Sequence, residues 1–173
     1  MPVNIDNIEK PKHGRQSKNQ TKELISQSEG VTILKKDENL AKNKVEIARY
    51  DIKININQHP DIAILISTTA SLRDDRLDTA NSCMLRCKRR YAENDKQCIC
   101  IVTSPCDSER NPGDDKVFFD AYNFGDREDV GIDVLIKTED LAGVLNAMAA
   151  VVDKNDVSKM IAAAKDHIKT LNY

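Results

Sequence analysis

Apolar and polar positions change rhythm several times along the chain, and each change marks an element. Residues 62–66 (IAILI) and 98–103 (CICIVT) are apolar on both faces, the pattern of central strands covered on both sides. Ile132 to Ile136 reads as another buried strand, and Val31 to Leu34 as a shorter one. From Val45 to Ile56 the second half alternates. Tyr50, Ile52, Ile54 and Ile56 fall on one face, and Asp51, Lys53 and Asn55 on the other, which predicts a half-exposed strand. His59-Pro60 is the expected turn after it.

Helical spacing is clearest from Arg73 to Tyr91, where Leu77, Ala80, Met84, Cys87 and Tyr91 recur at steps of three and four. Ser71 is placed to cap this helix. Asp74, Asp75 and Asp78 occupy its first turns, and Arg86, Lys88, Arg89 and Arg90 its last, so both sets suit the helix dipole. Strand, helix and strand joined by short links form a βαβ unit, which predicts parallel strands at 62–66 and 98–103. Further helices are expected over residues 16–28, ended by Gly30, from Thr138 to about Val152, and from about Val157 to Leu171. Residues 105–129 are rich in Asp, Pro, Gly and Asn and read as a long irregular excursion, with a short strand at Val117 to Phe119. The sum is an α/β fold: a central mixed β-sheet flanked by helices. Residues 1–15 read as a polar arm and 16–173 as one domain.

Composition adjusts this picture in three places. Trp is absent and aromatics are only 4%, so the core must be aliphatic. The formal net charge of -2 gives no bulk attraction to nucleic acid, so any grip on it must come from local clusters. Two such clusters are the basic end of the long helix and Lys10, Lys12, Arg15, Lys18 and Lys22 near the N-terminus. Either can equally be a solvated face. No apolar run approaches the roughly 20 residues of a membrane span, and the N-terminus shows no signal-peptide pattern, so no membrane partner and a cytoplasmic location are expected. The five cysteines are an odd number and sit mostly in apolar elements, which points to free thiols. Cys83, Cys87, Cys98 and Cys100 lack the tight-turn spacing of zinc sites and read as small core residues.

The candidate chemistry lies on two strands. Asp51 and Lys53 share a polar face, and the neighbouring strand closes with Ser67-Thr68-Thr69. Metal-dependent nucleases need carboxylates that converge on Mg²⁺ and a cation near the attacking water or the phosphate. An Asp and a Lys on a wet strand face are otherwise simply solvated.

The stretch ISTTASLRDDRLDTANSC, residues 66–83, resembles the signature of type II restriction endonucleases of the PD-(D/E)XK nuclease fold, in the branch that reads CCGG-type sites. Ser67 matches that branch's serine. Ser71, Leu72, Arg73, Asp75 and Arg76 match its Arg-x-Asp-Arg segment, and Asp51 falls on the strand that carries the metal-binding aspartate. The resemblance implies a restriction-endonuclease-like fold and Mg²⁺-dependent hydrolysis of double-stranded DNA by a homodimer. Asp51 would bind the metal, with Lys53 and Ser67 beside it, and Arg73, Asp75 and Arg76 would read bases. Two positions depart from the pattern: Thr69 replaces the lysine and Cys83 the helix glutamate. Either the chemistry has moved, with Lys53 as the cation and Asp61 or Glu46 as second carboxylate, or cleavage is lost and binding to DNA or a partner remains. A protein-interaction or signalling domain using residues 105–129 is the reading from another class. All the nuclease-derived readings require Asp51 and Ser67 to meet beside Arg73, which helical projection puts on the buried stripe one turn before Leu77.

Overall fold

The structure, a computed structural model, describes residues 14–26, 28–37, 48–105 and 112–173, apart from the side chains of 14–17 and 112–114. Five strands form one mixed sheet: β1 (Val31–Leu34), β2 (Ile52–Ile56), β3 (His59–Thr68), β4 (Gln97–Ser104) and β5 (Val134–Lys137). Their spatial order is the sequence order, β1-β2-β3-β4-β5. β1, β2 and β3 form an antiparallel meander, and β3, β4 and β5 are parallel. The helices are α1 (Gly14–Ser26), α2 (Asp74–Glu93), α3 (Pro112–Phe124), α4 (Leu141–Ala149) and α5 (Val157–Lys169). The expected α/β architecture is therefore present, and the βαβ unit is parallel as its short links require.

Each face of the sheet has its own core. On one face, Ile52, Ile54, Ile64, Ile66, Ile99, Ile101 and Val134 meet Ile25 of α1, Leu141 and Leu145 of α4 and Met160 and Ile168 of α5. On the other, Leu65, Cys98, Cys100, Val102 and Leu135 meet Leu77, Met84, Cys87 and Tyr91 of α2 and Phe119 and Tyr122 of α3. Alternation along each strand divides its side chains between the two. The four described cysteines are buried free thiols, and burial pushes the Cys87 thiol up to about 12. They act as small apolar filler.

Several boundaries differ from expectation for identifiable reasons. Residues 112–124, read as irregular, are helix α3. Its Phe119, Tyr122 and Asn123 are buried at helical spacing, whereas Val117 is exposed. The Asp, Asn and Gly content hid that stripe. Pro112 at the first helical position was the available signal. The turn before β3 is Asn57-Gln58, and His59 already pairs with Ile56. Regular pairing of β2 starts at Ile52, and Tyr50 leaves the Ile52 face to join the α2 side. Helix α2 begins at Asp74, with Arg73 as its N-cap and no side-chain capping bond, so Ser71 does not cap it. Thr138–Asp140 form a 3-10 turn before α4, which ends at Ala149. Helix α1 starts at Gly14, inside the expected arm, and residues 1–13 lie outside the described residues.

Side-chain amides and one imidazole replace main-chain partners where the sheet meets its helices. Asn123 faces the outer edge of β5, giving a bond to Leu135 O and taking one from Leu135 N, both 2.8 Å. Asn81 on α2 accepts from Gly131 N at 2.9 Å and Ile132 N at 3.0 Å. Buried His59 accepts from Asn155 N at 2.9 Å through Nδ1, so its Nε2 donates to Met148 O at 3.1 Å.

Two substitutions test this scaffold. A Cβ on Gly131 would stand 2.1 Å from Asn81 O and 2.5 Å from Leu85 N, both main-chain atoms of α2. Gly131→Ala is expected to destabilise by about 3 kcal/mol or more, because backbone cannot yield as a side chain does. Asn123→Ala strands both Leu135 groups at the sheet edge and should lower stability by about 3 kcal/mol. Urea unfolding followed by circular dichroism measures both.

Candidate nucleic-acid interface

The antiparallel pairing of β2 with β3 sets the start of β2 beside the end of β3, where α2 also begins. Asp51 therefore meets the exit of β3. Its main-chain N–H donates to Ile66 O at 2.9 Å. Its Oδ2 accepts from Thr68 N at 2.8 Å, Thr68 Oγ1 at 3.3 Å and Ser67 Oγ at 3.4 Å. The required meeting of Asp51 and Ser67 is present. The role of Thr68 N–H was not legible beforehand, because main-chain donors carry no residue signature.

Lys53 goes elsewhere. Its Nζ lies 3.1 Å from Asp37 Oδ1 and 5.6 Å from the Tyr91 ring centroid. Asp37 also accepts from Tyr50 OH and Tyr91 OH, each at 2.5 Å, and its N–H donates to Tyr50 OH at 2.7 Å. Burial pulls the Asp37 carboxyl up, but the hydrogen bonds from Tyr50, Tyr91 and Lys53 outweigh it and hold the group below its ordinary value. Burial first, and then the bond to Asp37, push the Tyr91 phenol upward. Lys53 is thus a structural cation that ties the segment after β1 to β2 and α2.

The remaining candidates are also placed. Asp61 lies at the opposite end of β3, accepting from Asn155 Nδ2 at 3.0 Å, so it is no second carboxylate for Asp51. Glu46 is outside the described residues. Arg73 is not on the buried stripe. It precedes the helix in extended conformation, is about half exposed, and forms two bonds to Asp75 at 3.2 and 3.1 Å. Such an exposed pair is worth at most about 1 kcal/mol and can open for a ligand. On the same helix, Lys88 pairs with Asp133 at 2.5 Å and Arg90 with Glu93 at 3.1 Å, so these two serve the fold.

A cleft of about 340 Å³ opens outside the carboxyl ends of β3 and β4, where open α/β sheets commonly bind ligands. Ser67, Thr68, Thr69, Asp75, Arg76, Thr79 and Cys83 line it, together with Arg49. The hydroxyls are engaged within the protein: Ser67 and Thr68 on Asp51, Thr69 on Ser71 O at 2.8 Å and Thr79 on Asp75 O at 2.9 Å. Arg49 and Arg76 are exposed and make no ion pair among the described residues. Lys36 Nζ lies 5.9 Å from the Tyr50 ring centroid. Burial and then neighbouring Lys18 lower its pKa, while Asp51 opposes them.

Among the described residues few oxygen donors near the cleft are open to Mg²⁺. That ion requires a near-octahedral oxygen shell, usually with one or two carboxylates. Asp51 commits one oxygen to three internal donors, and Asp75 is held by Arg73. Among the described residues no group of three or more His, Cys, Asp or Glu side chains gathers to hold a metal. None of the described helices is long and apolar enough to cross a membrane. Comparison with protein-family models, curated proteins and solved structures finds no match.

Asp37 supplies a test with a defined sign. A carboxyl held below its unfolded-state value adds stability that is full above about pH 4 and is lost as pH falls through the depressed folded value. Asp37→Asn should therefore destabilise the protein by about 2 kcal/mol at pH 7 and flatten the loss of stability below about pH 4. Urea titrations between pH 7 and pH 2 check both.

Proposed function

We propose that this chain binds nucleic acid at the cleft beside Asp51, as a relative of CCGG-site-reading restriction endonucleases that grips DNA without cutting it. One observation carries the reading: two arginines, Arg49 and Arg76, face a cleft at the mouth of α2 with no carboxylate partner among the described residues. Arginines left open at a concave surface are suited to phosphate and to guanine edges. Asp51 and Ser67 are in contact, but their bonds are spent on the exit of β3. Lys53, the cation that catalysis would need, is engaged by Asp37. Arg73 and Asp75 are exposed at the same mouth, and opening their mutual pair would free them for base edges.

Cleavage is the second reading, favoured by Asp51 Oδ1, which has no hydrogen bond to a described residue, whereas Oδ2 takes three. Plasmid DNA separates the two. The binding reading expects retarded, intact DNA with and without Mg²⁺, released by added salt as phosphate contacts are lost. Arg49→Ala and Arg76→Ala should each weaken retention about tenfold. Discrete fragments that vanish in Asp51→Ala would replace binding by cleavage. No retention at low salt would remove both.

A further inference from the structure

The cleft is small for a duplex. Its volume of about 340 Å³ is near the lower end for small-ligand sites, which span roughly 300–1,000 Å³. A duplex gripped at the rim by arginines would place a single nucleotide, and not the whole helix, inside the cleft. The cleft also changes in chemistry along α2. Arg49 and Arg76 approach from separate elements, the segment before β2 and the first turn of α2. On the same face of α2, one and two turns beyond Arg76, come Ala80 and Cys83, which with Val102 of β4 give the cleft an apolar lining.

The mouth of α2 strengthens the positive side. Its N-cap is Arg73, which contributes no capping bond, so the first-turn N–H groups remain available to an anion. The nearest opposing charge in the cleft, Asp75, is engaged by both bonds from Arg73.

We propose that this cleft takes one nucleoside monophosphate unit, its phosphate between Arg49 and Arg76 and its base or sugar on the Ala80–Cys83–Val102 lining. The proposal rests on the nucleic-acid reading above and narrows it to a single nucleotide. The unit arrives either as a free mononucleotide or as the phosphorylated end of a strand. The chemistry recognised is the same: a phosphate monoester next to a flat, weakly polar body. No bond is made or broken.

Calorimetric titration with deoxyguanosine 5′-monophosphate, deoxyguanosine and inorganic phosphate tests this on the full chain. The mononucleotide should bind at one site, at least about tenfold more tightly than either fragment, since each fragment keeps only the charged or only the apolar contacts. Arg49→Gln and Arg76→Gln should each weaken it by about tenfold. Ala80→Met, which fills the cleft without changing charge, should abolish binding while thermal unfolding shows the fold retained. Competition then identifies the source. Displacement by 5′-phosphorylated duplex but not by 5′-hydroxyl duplex identifies strand ends; displacement by neither identifies free nucleotide. Inorganic phosphate binding as tightly as the mononucleotide overturns the proposal. So does retention of closed circular plasmid with no mononucleotide binding, which leaves the nucleic-acid reading standing. Mononucleotide binding with no retention of any DNA supports the cleft assignment and removes the nucleic-acid reading.

Discussion

Strand β3 is covered on both faces and bonded on both edges, and the rest of the molecule is arranged around that constraint. Ile64, Leu65 and Ile66 are fully buried, with antiparallel β2 on one side and parallel β4 on the other. A strand so enclosed must leave the sheet with its polar groups satisfied. Asp51 does this at Thr68, taking the main-chain N–H and two hydroxyls on one carboxylate oxygen. The same contact sets the exit of β3, the approach to α2 and the floor of the cleft. Structure and site share one carboxylate here, which is why Asp51 serves the fold before it can serve any ligand.

The charged residues divide into two populations. Lys53 with Asp37 and Lys88 with Asp133 are half-buried and held by further hydrogen bonds, including those of Tyr50 and Tyr91 to Asp37 and of Cys100 N to Asp133 at 2.8 Å. These partners compensate the desolvation that makes a half-buried charge unfavourable. Arg49 and Arg76 belong to the other population, exposed at a concavity and without such partners among the described residues. Positive charge with no ion-pair partner among the described residues is available to a phosphate, and with a net charge of -2 that attraction is local rather than a property of the whole chain.

The surroundings of the cleft are firm. Asn81 and Gly131 bring the segment before β5 against α2, and Asn123 binds α3 to the outer edge of β5. The amides of Asn81 and Asn123 stand in for strand or helix partners. Elements locked in this way hold Arg76 at a defined place relative to β3, which a binding site requires.

The sequence by itself determined the class of fold. The doubly apolar runs at 62–66 and 98–103, with the periodic helix between them, required two covered parallel strands, because no other arrangement buries those faces. The contact of Asp51 with Ser67 was only a requirement of the nuclease resemblance until the antiparallel pairing of β2 with β3 made it. Tertiary structure alone decided the partners. Lys53 turned to Asp37, Arg73 left the helix, Asp61 went to the far end of β3, and Arg49 came to line the cleft. Residues 112–124 became helix because Phe119, Tyr122 and Asn123 found Tyr173 and β5 to pack on. Periodicity reports how a segment buries its own surface. Which charge meets which depends on contacts between residues distant along the chain, and those exist only after the sheet has formed.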